Sequence, residues 1–179
     1  MEKADVNGRI RRRVRSLATA LATAPLMVLA AGAAQAAQNN INFGVNIYYN
    51  NACAIVLQGT GGTLAMNTGA NQLSSKLAGG APAIARVTSQ SNYWLQADVV
   101  PYFTMSPSGG DTGVTFSATF AGQAINARGL TFAERPGPNR IRLRTGTSIQ
   151  DITVHYNALR AAGVYPAGNY RGVVVLRCE

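Results

Sequence analysis

The most one-sided segment of the sequence is Ile41-Asn42-Phe43-Gly44-Val45-Asn46-Ile47-Tyr48-Tyr49. Side chains alternate between the two faces of an extended strand, so one face of this segment is apolar and the other is largely polar. Burying five such apolar side chains completely would contribute roughly 7–15 kcal/mol, and the same strand left in water would be an aggregation hazard. The segment therefore predicts a β-strand that must bury one face. The side chains on that face are Ile41, Phe43, Val45, Ile47 and Tyr49.

Two kinds of burial would satisfy this strand. It is either the first strand of its own domain, or it leaves that domain and completes the sheet of a neighbouring molecule. In such strand donation the main-chain hydrogen bonds supply affinity and alternate side-chain pockets supply register. Periodicity does not distinguish the two alternatives, because both bury the same face.

The segment before this strand has the pattern of a secretory signal peptide, which we place at residues 1–36. Six Lys and Arg side chains precede an apolar run at residues 17–31, and Ala34-Gln35-Ala36 offers small residues for cleavage. A transmembrane anchor is the alternative, but an apolar run of about 15 residues is short for a membrane span. We therefore expect an exported protein in which residues 37–50 form an N-terminal extension and residues 51–179 form the domain.

Cleavage of the leader would change the charge of the protein. The full chain of 179 residues has a formal charge of +9, from 16 Lys/Arg and 7 Asp/Glu, and the leader holds six of the basic and two of the acidic residues. The remaining chain keeps a charge of +5, which weakens the case for nucleic-acid binding. The hydrophobic fraction of 47% argues against a disordered chain.

The rest of the sequence alternates short apolar–polar runs with turn residues. Turns such as Gly59-Thr60-Gly61-Gly62 and Pro136-Gly137-Pro138 separate the runs. Residues 149–162 could pass for a short helix, but Ile152-Thr153-Val154 prefers a strand. This spacing predicts one all-β domain, an antiparallel sandwich of the immunoglobulin-like kind. The predicted strands are 41–49, 54–57, 83–88, 93–100, 114–120, 141–144, 152–156 and 170–178.

The sequence contains two cysteines, Cys53 and Cys178. The oxidising compartment that an exported protein enters favours a disulfide between them. A free reactive pair is the alternative, although no CxxC spacing supports redox chemistry. A bridge would tie the start of the domain to its last strand.

Two stretches of the chain resemble chaperone–usher fimbrial (pilin-like) subunits. In residues 43–55 an alternating segment that contains a glycine leads into Asn50-Asn51-Ala52-Cys53, and residues 165–175 are similar to the Gly-x-Tyr-rich final strand of such pilins. By position, the five apolar residues of the first strand match the donor residues of those subunits, and Cys53 matches their first-strand cysteine. The partner cysteine of mainstream pilins comes some tens of residues after the first, whereas here it is Cys178.

The resemblance implies an incomplete, pilin-type sandwich, in which residues 170–178 border a groove that a neighbour's residues 41–49 fill. It also implies partners: other copies or sister fibre subunits, a periplasmic chaperone, and an outer-membrane usher or secretion pore. The chain also resembles small holdfast-anchoring proteins of stalked bacteria, which have a leader and a fimbria-like character. The implied function is that of a non-enzymatic structural subunit of a bacterial surface fibre or of an adhesion or holdfast-anchoring apparatus. Such a subunit passes through the periplasm to the cell surface, the outer membrane or an extracellular fibre.

Catalytic and metal-binding patterns are sparse. His155, the single histidine, has no Ser-x-x-Lys or Gly-x-Ser-x-Gly companion, and we expect it to be structural or exposed to solvent. No local pair of carboxylates suggests glycoside hydrolysis, and one His with two Cys does not make a structural zinc site. We therefore predict no catalytic residue, no metal and no cofactor, and a secreted hydrolase is the weakest hypothesis.

A basic stripe, Arg140-Ile141-Arg142-Leu143-Arg144, is the remaining candidate binding site. In a strand its three arginines share one face, and a guanidinium can bind the acid groups of a polysaccharide in a two-pronged fork. The plainer interpretation is a solvated strand face, or an edge that its charge protects from unwanted pairing. Trp94 could line a sugar site, although a lone Trp between apolar neighbours is more often core. These residues define the alternative function, a monomeric exported carbohydrate-binding module for acidic polysaccharide.

Overall fold

The computed structural model describes residues 41–48 and 52–179. The predicted signal peptide (1–36) lies outside the described residues, as do residues 37–40 and 49–51 with Tyr49 among them. Within the described ranges, no helix has the length and apolarity needed to cross a membrane. The strands are β1 (Ile41–Tyr48), β2 (Cys53–Gln58), β3 (Gly62–Thr63), β4 (Ala65–Met66), β5 (Gln72–Ser74), β6 (Ala83–Ser89), β7 (Trp94–Val99), β8 (Val114–Ala124), β9 (Phe132–Pro136), β10 (Ile141–Arg142), β11 (Ser148–Arg160) and β12 (Tyr170–Cys178).

These strands form two sheets. The five-stranded sheet has the order β10-β7-β12-β1-β3, and the seven-stranded sheet has the order β2-β6-β11-β5-β4 with β8 and β9 added through β11. Strand β1 runs parallel to β12, whereas the other pairs of described strands are antiparallel. The predicted all-β class and the β-sandwich are confirmed.

Strand β11 was predicted correctly at its centre, but the predicted strand is shorter than the observed one. Buried and half-buried residues alternate along it from Ser148 to Ala158, as a half-buried strand requires. Only residues 152–156 were predicted, because Ser148 and Gln150 occupy core-facing positions and hide the apolar period. Gln150 is satisfied there, since its side-chain oxygen accepts a hydrogen bond from the Leu130 N–H at 3.3 Å.

Several predicted boundaries are wrong at the short strands. Strands β3, β4 and β5 have two or three residues each, too few to show a period, and β9 was also missed. Gly62, predicted to lie in a turn, pairs with Phe43 in β3. Strand β10 ends at Arg142 rather than Arg144, although the Leu143 N–H still donates to the carbonyl oxygen of Tyr93, just before β7, at 2.8 Å.

The core between the sheets is rich in aromatic rings. Phe103 lies 5.1 Å from Tyr170 and 4.9 Å from Phe116, both in edge-to-face geometry. Tyr165 meets Tyr170 edge to face at 5.5 Å. Such pairs add about 0.5–1.5 kcal/mol each beyond their burial. The cluster joins the start of β12 to β8 and to the loop that follows β7.

The predicted disulfide between Cys53 and Cys178 is confirmed. It joins the first residue of β2 to the last residue of β12, so it crosslinks the two sheets. The half-cystines are 125 positions apart, and by loop-closure entropy a bridge of that span contributes about 5 kcal/mol to stability.

Candidate functional site

The candidate site is the groove along β12 that β1 fills. Strand β1 pairs with β12 over its whole length, from Ile41 opposite Tyr170 to Tyr48 opposite Arg177. On its other edge, among the residues that the structure describes, Asn42 and Phe43 pair with the two residues of β3. In the single chain, therefore, the N-terminal strand lies in the sheet of its own molecule, which is the first of the two burials considered from the sequence.

Phe43 is the anchor of this strand. Its side chain is 1% exposed, and its ring stacks on Tyr156 of β11 with the centroids 5.7 Å apart and an angle of 17° between the planes. The contact crosses from one sheet to the other. Tyr156 is itself fully buried, and burial raises the pKa of its hydroxyl far above the ordinary value.

Two glycines make room for this stack. A Cβ added at Gly62 would overlap the ring of Phe43, and a Cβ added at Gly172 would overlap the ring of Tyr156. Gly62 belongs to β3 and leaves room for the Phe43 ring of β1, whereas Gly172 belongs to β12 and leaves room for the Tyr156 ring of β11. This acceptor pocket could not be predicted from the sequence pattern, because its residues belong to three different strands, β3, β11 and β12.

The other predicted donor residues have mixed outcomes. Val45 is buried at 9% exposure, while Asn42, on the opposite face, is exposed. Ile41 and Ile47 lie in β1, where their backbones pair with Tyr170 and Leu176, and their side chains lie outside the described part.

Gly44 does not need to be glycine for steric reasons. A Cβ built there would meet the Arg171 guanidinium at 3.6 Å, an ordinary van der Waals contact. In the single chain this residue, which forms part of the pilin-like pattern, therefore has space for a small side chain.

The three arginines of the basic stripe are exposed, whereas Leu143 between them is buried. Arg142 pairs with Trp94 across β10 and β7, and its guanidinium lies 5.9 Å from the centroid of the indole. Arg140 donates from Nε to the side-chain oxygen of Gln96 at 2.8 Å.

The expectation that Trp94 packs in the core is wrong. Its side chain is 43% exposed, whereas Leu95 is fully buried. The alternation of β7 turns Leu95 and Ala97 inward, so Trp94 emerges on the outer face despite its apolar neighbours.

His155 lies on the outer side of β11, half-buried. Its Nδ1 is 3.1 Å from the Ser75 hydroxyl oxygen, which also accepts the Tyr156 backbone N–H. Burial lowers the pKa of His155, Lys76 lowers it further, and Glu134 opposes the shift. Ser75 is only 3% exposed, so this contact joins the turn after β5 to β11 and does not present a hydroxyl to a substrate.

An open pocket of about 290 Å³ lies beside His155, lined by Lys76, Thr119 and Asn157 among others. Glu134 binds both Lys76 and Thr119, and these hydrogen bonds lower the pKa of its carboxyl. Within residues 41–48 and 52–179, no three His, Cys, Asp or Glu side chains are grouped so that they could hold a metal.

No protein-family model matches the chain, and no curated protein matches it either.

Proposed function

We propose that the protein is a non-enzymatic structural subunit of a bacterial surface fibre or of an adhesion or holdfast-anchoring apparatus, assembled by exchange of its N-terminal strand. The observation that carries this proposal is the position of β1. It is an N-terminal strand that fills an apolar groove, pairs along its whole length with one strand, and inserts Phe43 between two glycines.

The edge of β12 is the part of the molecule that most needs such a strand. Without β1 the five-stranded sheet would be reduced on this side to β10-β7-β12. The backbone of β12 would lose a complete ladder of hydrogen bonds, and the ring of Tyr156 would lose its stacking partner. An open apolar edge of this kind is a template for pairing with another chain.

A second copy of the chain carries a segment that fits this groove. The incoming segment would present the same backbone groups and the same alternation that buries Phe43 and Val45. A strand entering antiparallel to β12 would also form a slightly more stable ladder than the parallel one that β1 makes. This difference in ladder stability favours strand exchange. The high effective concentration of the chain's own strand opposes exchange and favours self-filling.

On this proposal the sandwich is immunoglobulin-like, of the incomplete pilin type, and β1 stands in for the missing strand. The partners are other copies or sister fibre subunits, a periplasmic chaperone that covers the groove, and an outer-membrane usher or secretion pore. The protein would be exported by its leader and would end at the cell surface, in the outer membrane or in an extracellular fibre.

The test removes residues 37–50 and supplies them as a peptide. We expect the full-length secreted protein to form heat-sensitive ladders on a gel, and the shortened protein to be monomeric and to gain stability when peptide 37–50 is added. A matched peptide carrying Phe43→Asp should not bind, because the pocket beside Tyr156 is apolar. If the full-length and shortened proteins are equally monomeric and the peptide does not bind, assembly by strand exchange is wrong.

The alternative, a monomeric carbohydrate-binding module, is favoured by one observation, the exposed Trp94 beside Arg142. It requires no strand exchange. A secreted protein that stays monomeric and still binds an acidic polysaccharide would support it.

A further inference from the structure

The outer face of the five-stranded sheet carries a cluster that combines an aromatic ring with unpaired positive charge. Strand pairing places Arg142 opposite Trp94 and, farther along the sheet, Gln96 opposite Arg177. Arg140 and Arg144 flank Arg142 along the chain and are exposed, and Arg140 reaches this side of the sheet through its hydrogen bond to Gln96. We define the Trp94 face as Trp94, Arg140, Arg142 and Arg144.

The charge of this face is not neutralised within the described part of the molecule. Residues 52–179 contain five acidic side chains, and each already has a partner elsewhere. The arginines of the Trp94 face form no ion pair with any of them. The five engagements are Asp98 and Glu179 with Arg177, Glu134 with Lys76, Asp151 with Arg86, and Asp111 with the Phe103 N–H and the Ser106 hydroxyl.

One neighbouring network holds part of this face in place. The amide of Gln96 accepts from Arg140 at 2.8 Å and donates to Asp98 at 2.9 Å. Asp98 in turn contacts Arg177 Nε at 3.2 Å. Arg140 is thus oriented through Gln96, an uncharged group, and keeps its full charge for an external anion.

The guanidinium of Arg142 lies over the indole of Trp94, 5.9 Å from its centroid, so the two groups offer different kinds of contact at one place. Trp94 is 43% exposed, so part of its apolar surface is open to the C–H face of a sugar ring. A guanidinium binds a carboxylate through two parallel hydrogen bonds, and these charge-assisted bonds are stronger than neutral ones. A ring stacked on Trp94 would hold a carboxylate substituent within reach of the stripe.

We infer that the Trp94 face binds an acidic polysaccharide, a polymer of uronic-acid sugars. The inference goes beyond fibre assembly and does not depend on strand exchange, because β10 and β7 lie on the opposite side of β12 from β1. A single-stranded nucleic acid also combines rings with negative charge, but it stacks successive bases on several aromatic side chains. Trp94 is one ring, so the face favours a single stacked sugar.

The experiment measures binding of the full-length secreted protein to four polymers. Polygalacturonate combines sugar rings with carboxylates, dextran has the rings alone, polyglutamate has the carboxylates alone, and oligo(dT) represents nucleic acid. We expect polygalacturonate to bind at least about tenfold more tightly than the other three, since each kind of contact contributes on the order of one such factor. Binding should weaken as salt rises, because the charges are exposed.

Matched variants identify the face. Arg142→Gln and Trp94→Leu should each weaken polygalacturonate binding about tenfold. Arg86→Gln, which removes one charge from the other sheet, should change it less than about twofold at constant salt. Far-ultraviolet circular dichroism checks that each variant is folded.

The inference would be overturned if polyglutamate or oligo(dT) bound as tightly as polygalacturonate, if Trp94→Leu bound like the unchanged protein, or if polygalacturonate did not bind at all. If Arg142→Gln instead causes aggregation with no loss of polysaccharide binding, the stripe protects an edge strand and the inference is wrong.

Discussion

The ring of Phe43 stacks on the ring of Tyr156 with 5.7 Å between the centroids, and this contact joins the N-terminal strand to the longest strand of the opposite sheet. Phe43 and Val45 are the two side chains of β1 that are described as buried. The Phe43 ring is the larger of the two. The stability of the single chain and its capacity to exchange strands therefore depend on the same ring.

Replacing that ring should destabilise the protein strongly. We expect Phe43→Ala to lower the free energy of unfolding by about 3–5 kcal/mol, because it removes a buried aromatic side chain and leaves a cavity against Tyr156. Denaturant unfolding of the monomer measures the change. Asn42→Ala, one residue away on the exposed face, is the control and should stay within about 0.5 kcal/mol. A small effect at Phe43 would mean that β1 does not occupy the groove in solution.

The acceptor glycines should be intolerant of even one methyl group. Gly62→Ala and Gly172→Ala would each push a Cβ into an aromatic ring, and we expect each to cost about 1–3 kcal/mol by overpacking. Gly44→Ala is the matched control, because a Cβ there meets nothing closer than 3.6 Å. Unfolding midpoints of the three variants, measured side by side, test whether the loss of stability occurs at Gly62 and Gly172 and not at Gly44. Equal losses at all three sites would contradict the pocket described around Phe43.

A crosslink should separate self-filling from exchange. Asn42 and Arg171 are exposed partners in the parallel register of β1 and β12. Asn42→Cys combined with Arg171→Cys should form a bridge within one chain and keep the protein monomeric, because the locked strand cannot leave the groove.

The control for this crosslink pairs Asn42→Cys with Arg86→Cys, which lies on the other sheet. It removes the same charge but does not lock β1, so it should assemble like the unchanged protein. Non-reducing gels and light scattering report both results. A locked variant that polymerises normally would show that β1 takes no part in assembly.

His155 should make stability depend on pH between about 6.5 and the lower pKa of the folded state. Because burial and Lys76 lower the pKa of His155 in the fold, the unfolded chain takes up its proton first as the pH falls. The contribution of neutral His155 is complete above the unfolded pKa of about 6.5 and is lost as the pH drops through this window. Urea unfolding at pH 8 to 5, compared with His155→Gln, measures the difference.

The free energy of unfolding of the His155→Gln variant should change less with pH between about 6.5 and the lowered pKa of His155. Glu134 and Asp151, whose pKa values are lowered by hydrogen bonds from Lys76 and Arg86 respectively, add their own losses only at more acid pH, below about 4.5. The same slope in both proteins between pH 6.5 and 5 would rule out His155 as its source.

Local alternation was enough to predict the inward face of β1 at Phe43 and Val45 and the positions of most long strands. The oxidising compartment expected for an exported protein and the presence of two cysteines were enough to predict the bridge between Cys53 and Cys178. Trp94 was misplaced because its apolar neighbours outweighed its position in the alternation of β7.

The acceptor pocket around Phe43 could not be predicted from the sequence pattern. Gly62 of β3 and Gly172 of β12 meet Phe43 as its partners across the ladders, and the packing of the two sheets brings Tyr156 of β11 onto its ring. Nothing in local periodicity encodes a contact between residues so distant along the chain.

The bridge between Cys53 and Cys178 has a mechanical consequence for a fibre assembled by strand exchange. Tension would enter a subunit through the foreign strand held along β12 and would leave through the subunit's own N-terminal strand, just before β2. The covalent link joins the end of β12 directly to the start of β2. The pulling force would therefore bypass the 125-position stretch between the half-cystines, and the sandwich could carry load without being unravelled.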